Sequence, residues 1–386
     1  MVKLLMLITS LAGGGAERVV SELSLNLSSN ISRRIITLTN RISYPSNIPP
    51  LSMNFNYGGT ADINMIYTAF MGIINYREIL KNYKPDVSIS FLVLDNFINV
   101  LSNIVNNKAK VIVSVHTVLS MRFRKSPIDR FSKFLIKILY NKADLIIAVS
   151  RGIRDELVRD FNINPKKIRV VYNPIDIEKI QYLARDEVND EWFDGELPII
   201  INMGRLTEAK GQWHLIRAFS KVRKRKQCKL VICGNGELKL YLENLVRNLD
   251  LKNDVKFLGW QDNPFKYISE ASIFVSSSLW DALPCALIEA MTCDCPVIAT
   301  DCKYGSSEIL GDGKFGILTP PLDGRFYNAS DPLTLEEEYL ANTIIKLLDN
   351  QELRNNYSKK ARMRVVNFDQ KIILKLYEDI IYDVST

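Results

Sequence analysis

The strongest constraint on the fold is a rhythm. Short apolar runs without polar alternation recur along nearly the whole chain, and amphipathic stretches of helical spacing separate them. Val2 to Ile8 is followed by a helical pattern over Ala16 to Ser28; then come Ile35 to Thr39, Val87 to Phe91, Val111 to Val115 and Leu145 to Val149. A strand that is apolar at every position is covered on both faces, which is the condition of a parallel sheet. Strand and helix in alternation predict a doubly wound α/β architecture.

The rhythm breaks near Tyr172-Asn173-Pro174-Ile175-Asp176, and a charged stretch runs on to Gly195. A second series follows: Ile199 to Met203, Leu230 to Cys233, Val255 to Leu258, Ile273 to Ser276 and Val297 to Thr300. The reading is two Rossmann-like domains in tandem, over residues 1–190 and 195–365. A terminal amphipathic segment, 366–386, is expected to cross back to the first domain.

With 386 residues, each half is long enough for its own core. No apolar run reaches the roughly 18 to 20 residues of a membrane-spanning helix. The start, MVKLLMLITSLAGGG, leads into a charged helical pattern and not into a small-residue cleavage site, so it reads as a buried strand. The expected location is therefore the cytoplasm. Six cysteines, all beyond residue 227, match no CxxC pair and no zinc spacing, and read as small buried hydrophobes. The net charge of +7 is lopsided: residues 1–193 carry 25 Lys and Arg against 17 Asp and Glu, the remainder 25 against 26. A polyanionic partner for the first half follows from this: nucleic acid, an anionic membrane or a phosphorylated substrate.

Three constellations carry candidate chemistry. Gly13-Gly14-Gly15-Ala16-Glu17-Arg18 follows the first strand, where glycines let backbone approach a phosphate at a helix N-terminus. A dinucleotide fingerprint would also want an acid closing the second strand, but Thr37-Leu38-Thr39-Asn40 has none, which disfavours a nicotinamide enzyme. A ligand-free tight turn is the alternative. The loop Gly204-Arg205-Leu206-Thr207-Glu208-Ala209-Lys210-Gly211 sets an arginine fork and a lysine point charge at a strand end, a clamp for a diphosphate unless they are solvated surface charge. In Ser278-Leu279-Trp280-Asp281-Ala282-Leu283-Pro284-Cys285-Ala286-Leu287-Ile288-Glu289, Pro284 suits a first helical turn. The amides of Cys285 to Leu287 then face a phosphate, and Glu289 sits on an apolar helix. There it needs a partner, a ribose diol or an internal cation.

These segments, with ICGNGE, FLGW and CPVIATD, stand in the order and spacing of glycosyltransferase family 4, which the chain resembles over nearly its whole length. The resemblance implies a GT-B fold, two Rossmann-like domains facing a cleft, and a retaining, metal-independent transferase. It implies donor-diphosphate binding by Arg205 and Lys210, ribose binding by Glu289, and phosphate contact by the amides of Leu287 and Ile288. Trp260 and Gln261 would frame the nucleobase, Gly234 would line the donor site, and Gly14 or Gly15 would close over the diphosphate. His116, at the end of a strand, resembles the family's histidine near the reacting sugar, and a purely structural histidine is the alternative. Asp281-Ala282 departs from the usual glutamate-glycine, a carboxylate one methylene shorter next to the donor sugar. The catalytic set is thus His116, Asp281, Arg205 and Lys210. No Asp-x-Asp occurs, so the metal's usual charge falls to Arg205, Lys210 and a helix N-terminus.

Residues 119–142 are basic and interleaved with aromatics, the composition of a membrane-surface helix. Arg122, Phe123, Arg124, Lys125, Arg130 and Lys133 are the expected membrane residues; part of the apolar stripe belongs to the core. No nucleic-acid module accompanies the stripe. The expectation is a hexose or N-acetylhexosamine passed from a nucleotide sugar, a UDP-sugar by preference, to a glycan acceptor, lipid-linked by preference, at the cytoplasmic membrane face. No cofactor or metal is called for. The rivals are a sugar-nucleotide epimerase on the same fold and a catalytically inactive GT-B scaffold.

Overall fold

A computed structural model describes every residue except 56–61, 105–108 and 125. Among the described residues the chain divides into two compact units, Met1–Pro174 with Gln370–Thr386, and Ile175–Asp369.

The first unit holds a parallel sheet of β1 (Val2–Ile8), β2 (Ile31–Thr37), β3 (Leu51–Ser52), β4 (Val87–Ser90), β5 (Lys110–Val115), β6 (Leu145–Ala148) and β7 (Ile168–Val170), in the order β3-β2-β1-β4-β5-β6-β7. Its helices are α1 (Gly15–Asn26), α2 (Asp62–Tyr83), α3 (Val93–Asn103), α4 (Leu119–Arg122), α5 (Pro127–Tyr140) and α6 (Arg151–Phe161). β1 shows why its run lacks alternation. Leu4, Met6 and Ile8 face a core with Val19, Val20 and Leu23 of α1, while Leu5 and Leu7 face a second core with Tyr76 and Leu80 of α2 and Ile98 of α3. The strand order reverses between β1 and β4, so the ligand crevice of such a sheet opens beyond the C-terminal ends of those strands.

The second unit begins with α7 (Ile177–Leu183). Its sheet contains β8 (Ile199–Met203), β9 (Lys229–Cys233), β10 (Val255–Gly259), β11 (Ile273–Ser276), β12 (Val297–Thr300) and β13 (Ile317–Thr319), in the order β10-β9-β8-β11-β12-β13. Its other helices are α8 (Gln212–Arg225), α9 (Lys239–Asn248), α10 (Phe265–Ser269), α11 (Cys285–Thr292), α12 (Ser306–Leu310), α13 (Leu335–Asp349) and α14 (Gln351–Val365). The switch point lies between β8 and β11. The two segments read from sequence as donor-binding leave the sheet there, 204–211 after β8 and 277–284 after β11.

The division falls at Pro174, not near residue 190. α7 packs against α10 and α11, Ser269 Oγ donates to the Ala184 carbonyl at 2.8 Å, and Lys256 Nζ donates to Asp190 at 2.7 Å. The charged stretch is thus bound to the second unit and is not a free linker. The chain returns after Asp369 as α15 (Gln370–Ser385), which buries Ile373, Leu374, Tyr377 and Ile381 in the first unit's core. Glu378 of α15 accepts the Ser28 backbone N–H at 2.6 Å. Among the described residues no helix is long and apolar enough to cross a membrane.

Candidate functional site

The loops at the switch point of the second unit are held by backbone contacts too close for side chains. Gly204 N–H donates to the Cys233 carbonyl at 2.9 Å, and Gly234 N–H donates to the Gly259 carbonyl at 2.7 Å. A Cβ on Gly234, at φ +134°, would stand 2.0 Å from the Gly204 carbonyl oxygen. Gly234 therefore fixes the start of the 204–211 loop by close approach. Gly211, at φ +57°, closes the loop, and its Cβ would lie 2.5 Å from the Ser277 carbonyl oxygen. The two loops are also stitched together: Leu279 N–H donates to the Ala209 carbonyl at 2.8 Å and Ser277 Oγ to the Lys210 carbonyl at 3.0 Å.

The side chains on this frame differ in state. Arg205 is exposed, and among the described residues no carboxylate pairs with it. Lys210 lies across Gly204 and is ion-paired with Asp281. Both partners are largely buried, with side-chain exposures of 22% and 17%. The structure thus brings together two of the four residues assigned to catalysis and shows that they engage each other. α11 starts one residue after Pro284, and Glu289 is 6% exposed in its second turn. The Leu287 N–H donates to the Pro284 carbonyl at 3.0 Å, so that expected phosphate contact has a protein acceptor. Trp260 is 60% exposed beyond β10, where a flat face can take a base. Gln261 turns its amide to the Leu258 carbonyl at 2.8 Å.

At the corresponding end of the first unit, Gly14 is the N-cap of α1, and the Glu17 carboxylate occupies the place a Gly14 Cβ would take, 2.0 Å away. Gly15 has open space at that point. His116 follows β5. Its Nε2 shares a hydrogen bond with Ser114 Oγ at 2.8 Å, and Nδ1 is shut off from solvent. Burial pushes its pKa down to about 3, against the opposing influence of Asn173, so the ring is neutral at ordinary pH.

Residue-type patterns missed Asp95, at the first turn of α3. It is fully buried and accepts from Thr9 N–H and Thr9 Oγ1, both at 2.8 Å. Desolvation pushes its pKa up to about 7; Thr9 opposes this, Glu17 adds to it and Arg122 reduces it. A lone acid in an apolar run gives no signal in sequence, because its partner is 86 positions away. Also unread was a buried network in the second unit. Glu337 pairs with Arg217 at 2.9 Å and with His214 Nδ1 at 2.8 Å, and Arg217 also holds the Pro332 carbonyl at 2.6 Å.

The basic segment is only partly as expected. Arg122, Arg124 and Arg130 are exposed, Phe123 and Lys133 are half-buried, and Lys125 lies outside the described residues. Arg124 Nε donates to the Met121 carbonyl at 2.8 Å. α5 is set by a capping box between Ser126 and Asp129 and buries Ile136, Leu139 and Tyr140. Phe131, Phe134 and Ile138 point outward and are not core.

Comparison with known proteins agrees with this arrangement. Residues 13–179 match the family model "Glycosyltransferase Family 4" and residues 185–364 match "Glycosyl transferases group 1". The chain is 33% identical over 377 residues, 96% of each chain, to the N-acetylgalactosamine-N,N'-diacetylbacillosaminyl-diphospho-undecaprenol 4-alpha-N-acetylgalactosaminyltransferase of Campylobacter jejuni. It shares its fold with HepE of Anabaena, solved in complex with UDP and glucose, at a TM-score of 0.76 and 18% identity over 99% of this chain and 100% of that one. It likewise shares the fold of sucrose-phosphate synthase from Thermosynechococcus elongatus, at a TM-score of 0.81 and 18% identity over 100% and 99% of the two chains. With two Rossmann-like parallel-sheet units, a glycine-held loop after β8 and matches along both halves, the chain belongs to the group 1, family 4 glycosyltransferases of GT-B fold.

Proposed function

We propose that the protein transfers a hexose or N-acetylhexosamine from a UDP-sugar, with retention and without a metal ion, to a lipid-linked glycan at the cytoplasmic face of a membrane. The observation that carries the donor side is the pair of cations on the 204–211 loop, at the switch point of the second sheet. Arg205 is open to a ligand, and Lys210 is held by a single carboxylate.

As the glycosidic bond lengthens, negative charge gathers on the departing diphosphate. A guanidinium fork and an ammonium fixed in a partly dry site stabilise that charge without reorganising. The diphosphate competes with Asp281 for Lys210, so donor arrival releases Asp281 toward the sugar. Glu289 takes the ribose hydroxyls, Trp260 the base. In the first unit, neutral His116 is a hydrogen-bonding group and not a cation; with Nε2 on Ser114 Oγ and Nδ1 closed off from solvent, it would meet a sugar hydroxyl only if the Ser114 contact gives way.

The acceptor side draws support from the Campylobacter jejuni relative, whose name specifies a diphospho-undecaprenol-linked acceptor and an alpha-linked product. The basic first unit suits such an anionic acceptor.

The test is incubation in detergent, with chelator, of UDP-hexoses and UDP-N-acetylhexosamines with polyprenyl-diphosphate-linked saccharides. Mass spectrometry should show extension by one sugar. Product only with added divalent ion removes the metal-free reading. Extension of water-soluble glycans alone removes the lipid-linked acceptor. An epimerised donor without transfer favours the epimerase, and no conversion of any donor favours the inactive scaffold.

A further inference from the structure

Helix α6 buries Ile153, Glu156, Leu157 and Phe161, a core stripe at helical spacing in which one position is a carboxylate. Glu156 has no exposed surface. One of its oxygens accepts the Leu119 backbone N–H at 2.9 Å, and the other accepts the Ser120 N–H at 3.1 Å. Among the described residues these two amides are its only polar partners, so no cation balances the charge. Taking a lone carboxylate out of water is costly, and two charge-assisted bonds offset only part of that cost.

The amides that Glu156 holds are the first two of α4. The N-cap of that helix is Val118, which has no side-chain acceptor. A serine or an aspartate at 118 would cap so short a helix locally and near water. Here the cap comes instead from the far side of β6, 37 and 36 positions along the chain. A distant, fully buried cap is an expensive way to end a four-residue helix, and what it adds over a local one is a fixed link between α6 and the loop after β5.

That loop carries His116. Val115, the residue before it, pairs with Ala148 of β6 and is the last paired position of β5. Only His116, Thr117 and Val118 lie between this pairing and the amides on Glu156. The backbone at His116 is thus fixed on one side by the sheet and on the other by α6, the helix that follows β6. The ring is held separately, by Ser114 Oγ at 2.8 Å, and it must leave Ser114 to meet a sugar hydroxyl. With the loop clamped, the ring makes that move by side-chain rotation alone and arrives at one place. With the loop released, its position spreads with the loop, and a misplacement of about 1 Å at a reacting centre costs about 100-fold in rate.

We propose that Glu156 is a positioning residue for His116: from α6 it clamps the amides of Leu119 and Ser120 and so sets where the His116 ring stands during sugar transfer. This rests on the reading that His116 serves a sugar hydroxyl, and adds the residue that acts through it.

The experiment pairs a spectrum with a double-variant cycle. The chain has two histidines, His116 and His214, so ring NMR signals of the full chain are assigned by their loss in His116→Ala. Glu156→Gln sets an amide NH2 against one of the backbone donors. It should shift the His116 signals and leave those of His214, in the other unit, in place. In transfer from a UDP-sugar to a polyprenyl-diphosphate-linked saccharide, its kcat should fall at least tenfold, while UDP affinity in calorimetry stays within roughly twofold of wild type. His116→Ala should lower kcat too, and the double variant should be no slower than His116→Ala, because residues that act as one unit are not additive. Glu156→Asp keeps both oxygens but draws them back by one methylene. It should give the same pattern at smaller size, and it carries the test if Glu156→Gln does not fold. Unmoved His116 signals overturn the proposal, as do a UDP affinity that falls along with kcat and a double variant whose loss multiplies the two single losses. His116→Ala at the wild-type rate removes the role of His116 and the proposal with it. An impaired His116→Ala beside a Glu156→Gln of wild-type kcat removes the clamp alone.

Discussion

Asp95 takes both of its hydrogen bonds from Thr9, the residue immediately after β1, and so ties the entry to the glycine turn onto α3. Its folded pKa, raised from 3.8 to about 7, means that the folded state binds this proton more tightly than the unfolded chain does. The stability it contributes is full below about pH 4 and is lost as pH rises through 7. His116 has the opposite sign. With a pKa lowered from 6.5 to about 3, its contribution is full above 6.5 and is lost as pH falls toward 3. Asp95→Asn cannot ionise, so its melting temperature relative to wild type should improve by several degrees between pH 5 and pH 8; a difference that stays constant with pH contradicts the buried, proton-holding carboxyl. The pair Lys210–Asp281 gives a second expectation. Lys210→Ala should lose at least tenfold in kcat/KM with its fold intact, since tenfold is only about 1.4 kcal/mol and a charge-assisted diphosphate contact exceeds that. Asp281→Asn frees the lysine, and UDP should then bind severalfold more tightly in calorimetry while transfer falls. Weaker UDP binding by that variant contradicts the competition. The frame of the 204–211 loop was legible because its motif is local: Gly204, Gly211 and Gly234 mark tight backbone approaches within one stretch of chain. Asp95 was not, because its meaning depends on Thr9, which only the β1–β4 pairing brings near.

At the scale of elements, the long central strands were readable from their unbroken apolar runs, and the short edge strands were not. β3, β7 and β13 have only two or three residues, too few to show a pattern. β2 starts at Ile31, four residues before its apolar run, because Arg33 and Arg34 interrupt it; Arg33 is accommodated by donating to the Ser24 carbonyl at 2.6 Å. The link between α8 and α13 was equally invisible, since His214 and Arg217 meet Glu337 more than 100 positions later. Arg217 and Glu337 are fully buried, and Trp213 Nε1, one position from His214, holds the Arg325 carbonyl at 2.7 Å. This network therefore fixes the N-terminal turn of α8, directly after the 204–211 loop. Glu337→Ala leaves the Arg217 guanidinium buried without its carboxylate and should destabilise the second unit by about 3–5 kcal/mol in urea unfolding. Arg217→Leu with Glu337→Leu should recover part of that loss, and a double variant as unstable as the single contradicts the charge account.

For the whole molecule, two Rossmann-like units were legible from rhythm alone, whereas the point of division was not. A charge-rich stretch looks like a linker in sequence, but Asp190 is held by Lys256 and the Ala184 carbonyl by Ser269, so 175–190 belongs with the second unit. Moving the boundary sharpens the charge contrast between the units, 25 Lys and Arg against 14 Asp and Glu in the first and 25 against 29 in the second. The central proposal is the donor diphosphate on the 204–211 loop, and calorimetry of UDP with the full chain in excess chelator is its direct test. UDP should bind equally well with and without chelator, at least tenfold more weakly to Arg205→Ala, and more weakly again when Glu289→Gln is added. Loss of UDP binding in chelator, or unchanged binding by Arg205→Ala, would contradict a donor diphosphate held by side chains in place of a metal.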